Sequence, residues 1–259
     1  MLALIPVAVA AQNDEIAHTP VDTAAIGATV SVEHVEGIDP WIVASAHRTF
    51  VPRWGAASAR ITGARRYGST GLQAEVDAHP RVGRVGYLYL AAALSPHEQV
   101  FIPVRAALEL FSSPTRAIEL SAGARLFHVA SSSVIVYTGS IGGYRGNYWY
   151  AFRPYVVKES GALSTTGQLS LRRYWAGRYD YVGMYVSATR GTSPVADDPT
   201  RIRRDPDLTS FSGRVERLRP FRSGRLRVGY GLGVESEEVA PSMRRLHLVG
   251  SFRVERLLR

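Results

Sequence analysis

The residues with the widest chemical range in this sequence are seven histidines: His18, His34, His47, His79, His97, His128 and His247. No pair of them stands at HExxH or another close metal-ligand spacing. Cysteine is absent, which excludes disulfides, thiolate catalysis and zinc-thiolate sites together. His128 with Ser131, Ser132 and Ser133 is the one local group with the composition of a base and a nucleophile. A serine run beside a strand end is more ordinarily a turn. Asp197, Asp198, Asp205 and Asp207 carry oxygens suited to calcium, but Arg201, Arg203 and Arg204 are interleaved with them and compete for the carboxylates. No P-loop, nucleophile elbow or glycine-rich turn after a strand occurs. Gly229, Gly231 and Gly233 lie at period two, the spacing of a strand rather than of a phosphate loop. No catalytic residue, metal or cofactor is expected.

Arginine is the chemistry that remains. The chain carries 31 basic residues and a net charge of +9, and Lys158 is its one lysine. Nucleic-acid-binding proteins usually cluster Lys and Arg together with stacking aromatics. Here the arginines stand singly, alternating with apolar residues, so no nucleic-acid partner is expected. Arg84, Arg105, Glu109, Glu119, Arg125, Arg225, Arg227, Arg245 and Arg253, with Glu75 and Asp77, fall on the polar sides of two-faced segments. They are expected to line one enclosed interior. Opposite charges on neighbouring strands can pair and hold a wall together. Fixed positive charge in a confined channel would also favour anions. A closed structural barrel and a small anion-favouring solute pore therefore both stand open.

The elements that must position these residues follow from period-two patterning. Between Thr115 and Leu126, Ile118, Leu120, Ala122, Ala124 and Leu126 share one face, and Glu119, Ser121, Gly123 and Arg125 share the other. Leu226, Val228, Tyr230, Leu232 and Val234 likewise oppose Arg225, Arg227 and three glycines. In 84–91, Tyr87 and Tyr89 are expected on the apolar side, opposite Arg84. Such segments run about 9–13 residues, the length that crosses a bilayer at a tilt; strands of soluble sandwiches are usually about 5–6. No run approaches the roughly 18 apolar residues of a membrane helix, and a mean hydropathy of -0.05 suits strands apolar at every second position. The expectation is an all-β, transmembrane, antiparallel up-and-down β-barrel of 12–14 strands, the segments at 41–50 and 132–142 being the ambiguous ones. With the first strand rising outward, the long connection 191–207 falls outside and turns such as Ser112-Ser113-Pro114 fall on the periplasmic side. Tyr148, Trp149, Tyr150, Tyr155, Tyr174, Trp175, Tyr179 and Tyr181 supply an interfacial girdle or, alternatively, a sugar-stacking surface.

Met1 to Ala11 is uncharged, and Ala8-Val9-Ala10 has the small-x-small pattern of a signal-peptidase site. Residues 1–10 are expected to be a signal peptide, 11–24 a short periplasmic segment and 25–259 the barrel. From about Gly143 onward the chain resembles the YaiO family of outer-membrane β-barrels. The resemblance rests on Gly143-Tyr144-Arg145, Tyr148-Trp149-Tyr150, Leu171-Arg172-Arg173-Tyr174, Tyr181-Val182-Gly183-Met184-Tyr185, Arg190-Gly191-Thr192-Ser193-Pro194, Gly229-Tyr230-Gly231-Leu232-Gly233-Val234-Glu235 and Phe252-Arg253-Val254-Glu255-Arg256-Leu257. It implies a barrel in the outer membrane of a Gram-negative bacterium, in a family without an established molecular function. Expected partners are outer-membrane lipid and lipopolysaccharide, the barrel-assembly machinery, and small anionic solutes or surface glycans. The alternatives are an outer-membrane enzyme acting on lipid or glycan, and a soluble secreted β protein.

Overall fold

The computed structural model describes residues 23–83, 86–115, 117–129, 132–159, 162–191, 209–221, 224–240 and 243–258. The expected signal peptide, most of the segment to residue 24, Arg84 and the aspartates of 191–207 lie outside the described residues. Fourteen strands follow in chain order: β1 Ala25–Val35, β2 Ile38–Phe50, β3 Gly55–Arg66, β4 Ser69–Val82, β5 Gly86–Leu94, β6 Val104–Ser112 and β7 Ile118–Val129; then β8 Ser132–Arg145, β9 Tyr148–Glu159, β10 Ala162–Tyr174, β11 Tyr181–Arg190, β12 Thr209–Phe221, β13 Leu226–Ala240 and β14 Met243–Leu257. Both ambiguous segments are full strands. Each strand pairs antiparallel with its sequence neighbours, and β1 closes the barrel on β14 from Ala25↔Leu257 to Val35↔His247. Closure leaves no strand edge, so the wall has no unpaired row of N–H and C=O groups to bury in lipid.

The two faces of the wall have opposite chemistry. Leu232 is 74% exposed and Leu169 60%, and with Ile61, Val76, Leu94, Tyr137 and Phe252 they form an outward apolar surface. Such an area facing water would be strongly unfavourable, whereas hydrocarbon accepts it. Inside, the buried set includes Glu75, Glu109, Arg125, Arg153, Gln168, Arg172, Arg227 and Glu255.

Connections differ at the two ends. The end that carries Ala25 and Leu257, here the terminus end, has only short turns between even and odd strands. The opposite, loop end carries tight hairpins, such as the Tyr67-Gly68 turn with both residues at positive φ, and two longer connections at 95–103 and 191–208.

The 95–103 connection folds inward. Val100 is fully buried with Phe101 against Ala64 and Val43, and Ile102 packs with Phe127, Val134, Val136 and Val157. β5 pairs β4 only as far as Ala74↔Leu94, so the end of β4 lacks a ladder partner there. The loop's side chains substitute for it: Ser95 Oγ donates to Leu72 O at 2.7 Å, and Leu72 N donates to His97 Nδ1 at 3.2 Å. Gly71 makes the approach possible, because a Cβ there would lie 2.9 Å from the Cβ atoms of both His97 and Val100.

Candidate lumen site

Within the barrel the inward side chains divide into a filled half and an open half. On the filled side, Arg153 Nη1 donates to Glu109 Oε1 at 2.6 Å, Ser121 also donates to Glu109, and Ser121 Oγ lies 2.6 Å from Ser140 Oγ. Glu109 leans across Gly123, where a Cβ would meet Glu109 Cβ at 2.6 Å. Phe111 stacks on Tyr87 with ring centroids 4.6 Å apart, and the Tyr87 hydroxyl donates to Glu119. Arg125 sits over the Tyr155 ring.

On the open side lies a cavity of about 600 Å³ lined mainly by β1–β4 and β12–β14. It is bordered by Glu33, Arg66 and Val100 towards the loop end and by Tyr144, Tyr174, Arg178 and Tyr179 at the terminus end. Apart from Arg217, which points outward at its rim, eight arginines and five carboxylates line it, a surplus of three positive charges when histidine is neutral. Arg105 Nη2 donates to Gln73 and Glu75 at 3.0 and 2.5 Å, and Arg60 Nη1 donates to the other oxygen of Glu75 at 3.2 Å. Glu255 collects Arg253, His47 Nε2 at 3.0 Å and Arg227 Nη1 at 3.7 Å. Near the terminus end Glu216 accepts from the hydroxyls of Tyr181 and Tyr185 and from Arg214, while Arg172 donates through Nε to Tyr185 at 2.9 Å. Arg172 also lies over the Trp149 and Tyr181 rings. Carboxylates thus hold arginines in fixed poses, and the excess cation faces the cavity.

At the loop end the wall closes over His247, which has no exposed surface. Its Nδ1 lies 2.8 Å from Glu33 and its Nε2 3.3 Å from Glu237. Trp41 packs against both His247 and Tyr67. Burial pushes the Tyr67 hydroxyl well above the usual range, so it stays neutral.

The expected interior residues can now be placed. Arg105, Glu109, Glu119, Arg125, Arg227 and Arg253 lie on the inner face; Arg245 does too, across the ladder from Glu237. Arg225 does not line the wall. It is exposed in the turn before β13, because the strand begins only at Leu226. The expected facing of 84–91 is reversed: Tyr87 and Tyr89 are buried inside and Leu90 faces out. Both faces of that segment are apolar, so period two cannot rank them. Tyrosine goes where its hydroxyl finds Glu119 and leucine goes to hydrocarbon. The girdle also splits. Tyr148, Tyr150 and Trp175 are exposed on the outside, whereas Trp149, Tyr155, Tyr174 and Tyr181 alternate inward. Arg60, Arg153, Arg172 and Arg214 are lumen residues that sequence reasoning missed. For Arg172 the signal was present, since Ser164, Thr166, Gln168, Ser170 and Arg172 alternate with Leu163, Leu169 and Leu171.

His128 and Ser133 do meet, with Nδ1 and Oγ 2.9 Å apart on the outward face at the loop end. Among the described residues no carboxylate orients the other ring nitrogen, and no group of His, Asp and Glu is arranged to hold a metal.

A family model, the YaiO membrane beta barrel domain, matches residues 23–195. The match therefore takes in β1–β7, upstream of the motifs on which the resemblance was read, and stops before β12. No curated relative matches the chain. Among solved structures it is similar to the outer membrane protein Omp33 of Acinetobacter baumannii (10% identity, TM-score 0.56, covering 91% of this chain and 99% of that one). It is also similar to a bacterial polysaccharide outer membrane secretin (11%, 0.60, 92% and 99%) and to OpdO of Pseudomonas aeruginosa (8%, 0.54, 93% and 98%). At these identities the likeness is one of fold.

Proposed function

The chain belongs to the YaiO membrane β-barrel family of the bacterial outer membrane, and from that premise we propose that its lumen is a narrow passage for small anionic solutes. Short turns face the periplasm in such barrels and longer loops the exterior, so the terminus end is periplasmic. The observation that carries the reading is the surplus of arginine along a cavity bordered by residues near both mouths. In a confined space with low-dielectric walls that surplus raises the local anion concentration. The inward loop 95–103 sets the narrow part, and the ion pairs of Glu75, Glu216 and Glu255 keep the arginines extended rather than collapsed onto the wall.

Planar-bilayer reversal potentials in a salt gradient test this. Wild type should favour anions, and R60Q/R214Q, which removes two half-buried lining charges, should weaken the preference with the barrel still folded. Absence of any conductance would identify a closed structural barrel instead.

The His128–Ser133 pair favours a second reading, an acyl hydrolase acting on lipid at the outer face. Hydrolysis of phospholipid in mixed micelles, abolished by S133A, would establish it; equal rates with and without S133A would remove it.

A further inference from the structure

On the outward face at the periplasmic end stand Arg48, Arg145, Arg173, Arg217, Arg219 and Arg256, each near the end of a descending strand. Their strands, β2, β8, β10, β12 and β14, lie on one continuous arc of the wall, from β8 round through β14 to β2. The outward positions at the same ends of β4 and β6 hold no cation. Among the described residues no Asp or Glu occupies an outward strand position at this end, and Asp180, in the β10–β11 turn, pairs with Arg217. A guanidinium facing hydrocarbon is costly at the bilayer centre and inexpensive only at the interface. The five others on this arc call for negative charge from outside the protein.

Aromatic rings hold several of these side chains in place. Trp175, half exposed, has Arg173 and Arg217 over its ring at 5.0 and 4.9 Å; Arg173 also lies over Tyr148 and Arg48 over Phe50. Arg217 spends its N–H groups on Asp180 and the Leu218 carbonyl, whereas the Arg173 guanidinium, over the ring face, can turn its N–H edge along the membrane plane. That edge matches two oxygens of a phosphate. The rings themselves belong at the headgroup level.

We propose that this arc is a docking surface for anionic phospholipid of the periplasmic leaflet, with Arg173, set between Trp175 and Tyr148, as the centre that grips the phosphodiester headgroup. The arc orients the barrel towards a lipid annulus richer in anionic headgroups on the β8–β2 side than on the β3–β7 side.

Native mass spectrometry of the full chain, released from micelles holding equimolar phosphatidylglycerol and phosphatidylethanolamine, reads the preference directly. Wild type should retain phosphatidylglycerol in excess, and R173Q should lower that excess about fivefold, the effect of one arginine near an anionic surface. R65Q/R190Q, at the opposite end, should leave it unchanged. Equal retention of the two lipids by wild type would overturn the proposal whether or not the variants fold. So would loss of the preference in R65Q/R190Q but not in R173Q, with heat-modifiable migration confirming that both are folded.

Discussion

Glu109 shows what a single residue does in this wall. It is 1% exposed, and one oxygen receives both Arg153 and Ser121. Glu109→Ala leaves the Arg153 guanidinium buried against Phe111 with its carboxylate gone, and breaking a buried pair from one side costs about 3–5 kcal/mol. E109L/R153M, which removes both charges and keeps the volume, should lose much less. Guanidinium unfolding in lipid vesicles measures both; equal losses would mean that the pair is not the stabilising element. Glu109 was placed correctly by parity because Leu108 and Leu110 flank it. Arg153 was not, because Phe152, Pro154 and Tyr155 around it hide the alternation. Arg225 failed for a different reason: parity extends a strand indefinitely, whereas the chain turns at Gly224, with φ of +80°.

At the scale of the element, alternation is the main determinant and can be tested on β10. Leu169 faces out and its neighbour Ser170 faces in. Arg at Leu169 meets hydrocarbon and should cost about 2–4 kcal/mol; Arg at Ser170 enters a polar interior and should cost clearly less. Equal costs would mean that the strand faces the other way. Strand number and facing were largely legible in the sequence because hydrocarbon outside and water or charge inside impose period two. The loop 95–103 was not legible: Phe101 and Ile102 have the apolar composition of a strand start, yet β6 begins only at Val104. No local pattern distinguishes a loop that folds outward from one that folds into the barrel. The contact that decides it is Val100 against Gly71, distant in sequence. Gly71→Leu should therefore displace the loop from the lumen and raise single-channel conductance while heat-modifiable migration stays that of a folded barrel. Unchanged conductance would show that the loop does not set the narrow part.

For the whole molecule, the filled half and the open half divide the work. The Glu109–Arg153 and Tyr87–Phe111 contacts brace β5–β9 internally, and that bracing leaves the cavity to β1–β4 and β12–β14. Under the proposed function the result is an asymmetric passage whose selectivity would come from excess charge rather than from a ring of matched ligands. Selectivity of that kind depends on screening. The Debye length falls from about 10 Å at 0.1 M salt to about 3 Å at 1 M, so at high salt the arginines on one side of the cavity no longer act on an ion moving along the other. The anion-to-cation permeability ratio should therefore fall towards one as the salt on both sides rises from about 0.1 to 1 M, and R60Q/R214Q should already start lower and change less. A ratio set by fit to a bound ligand would instead survive the added salt, and bilayer reversal potentials across that range distinguish the two.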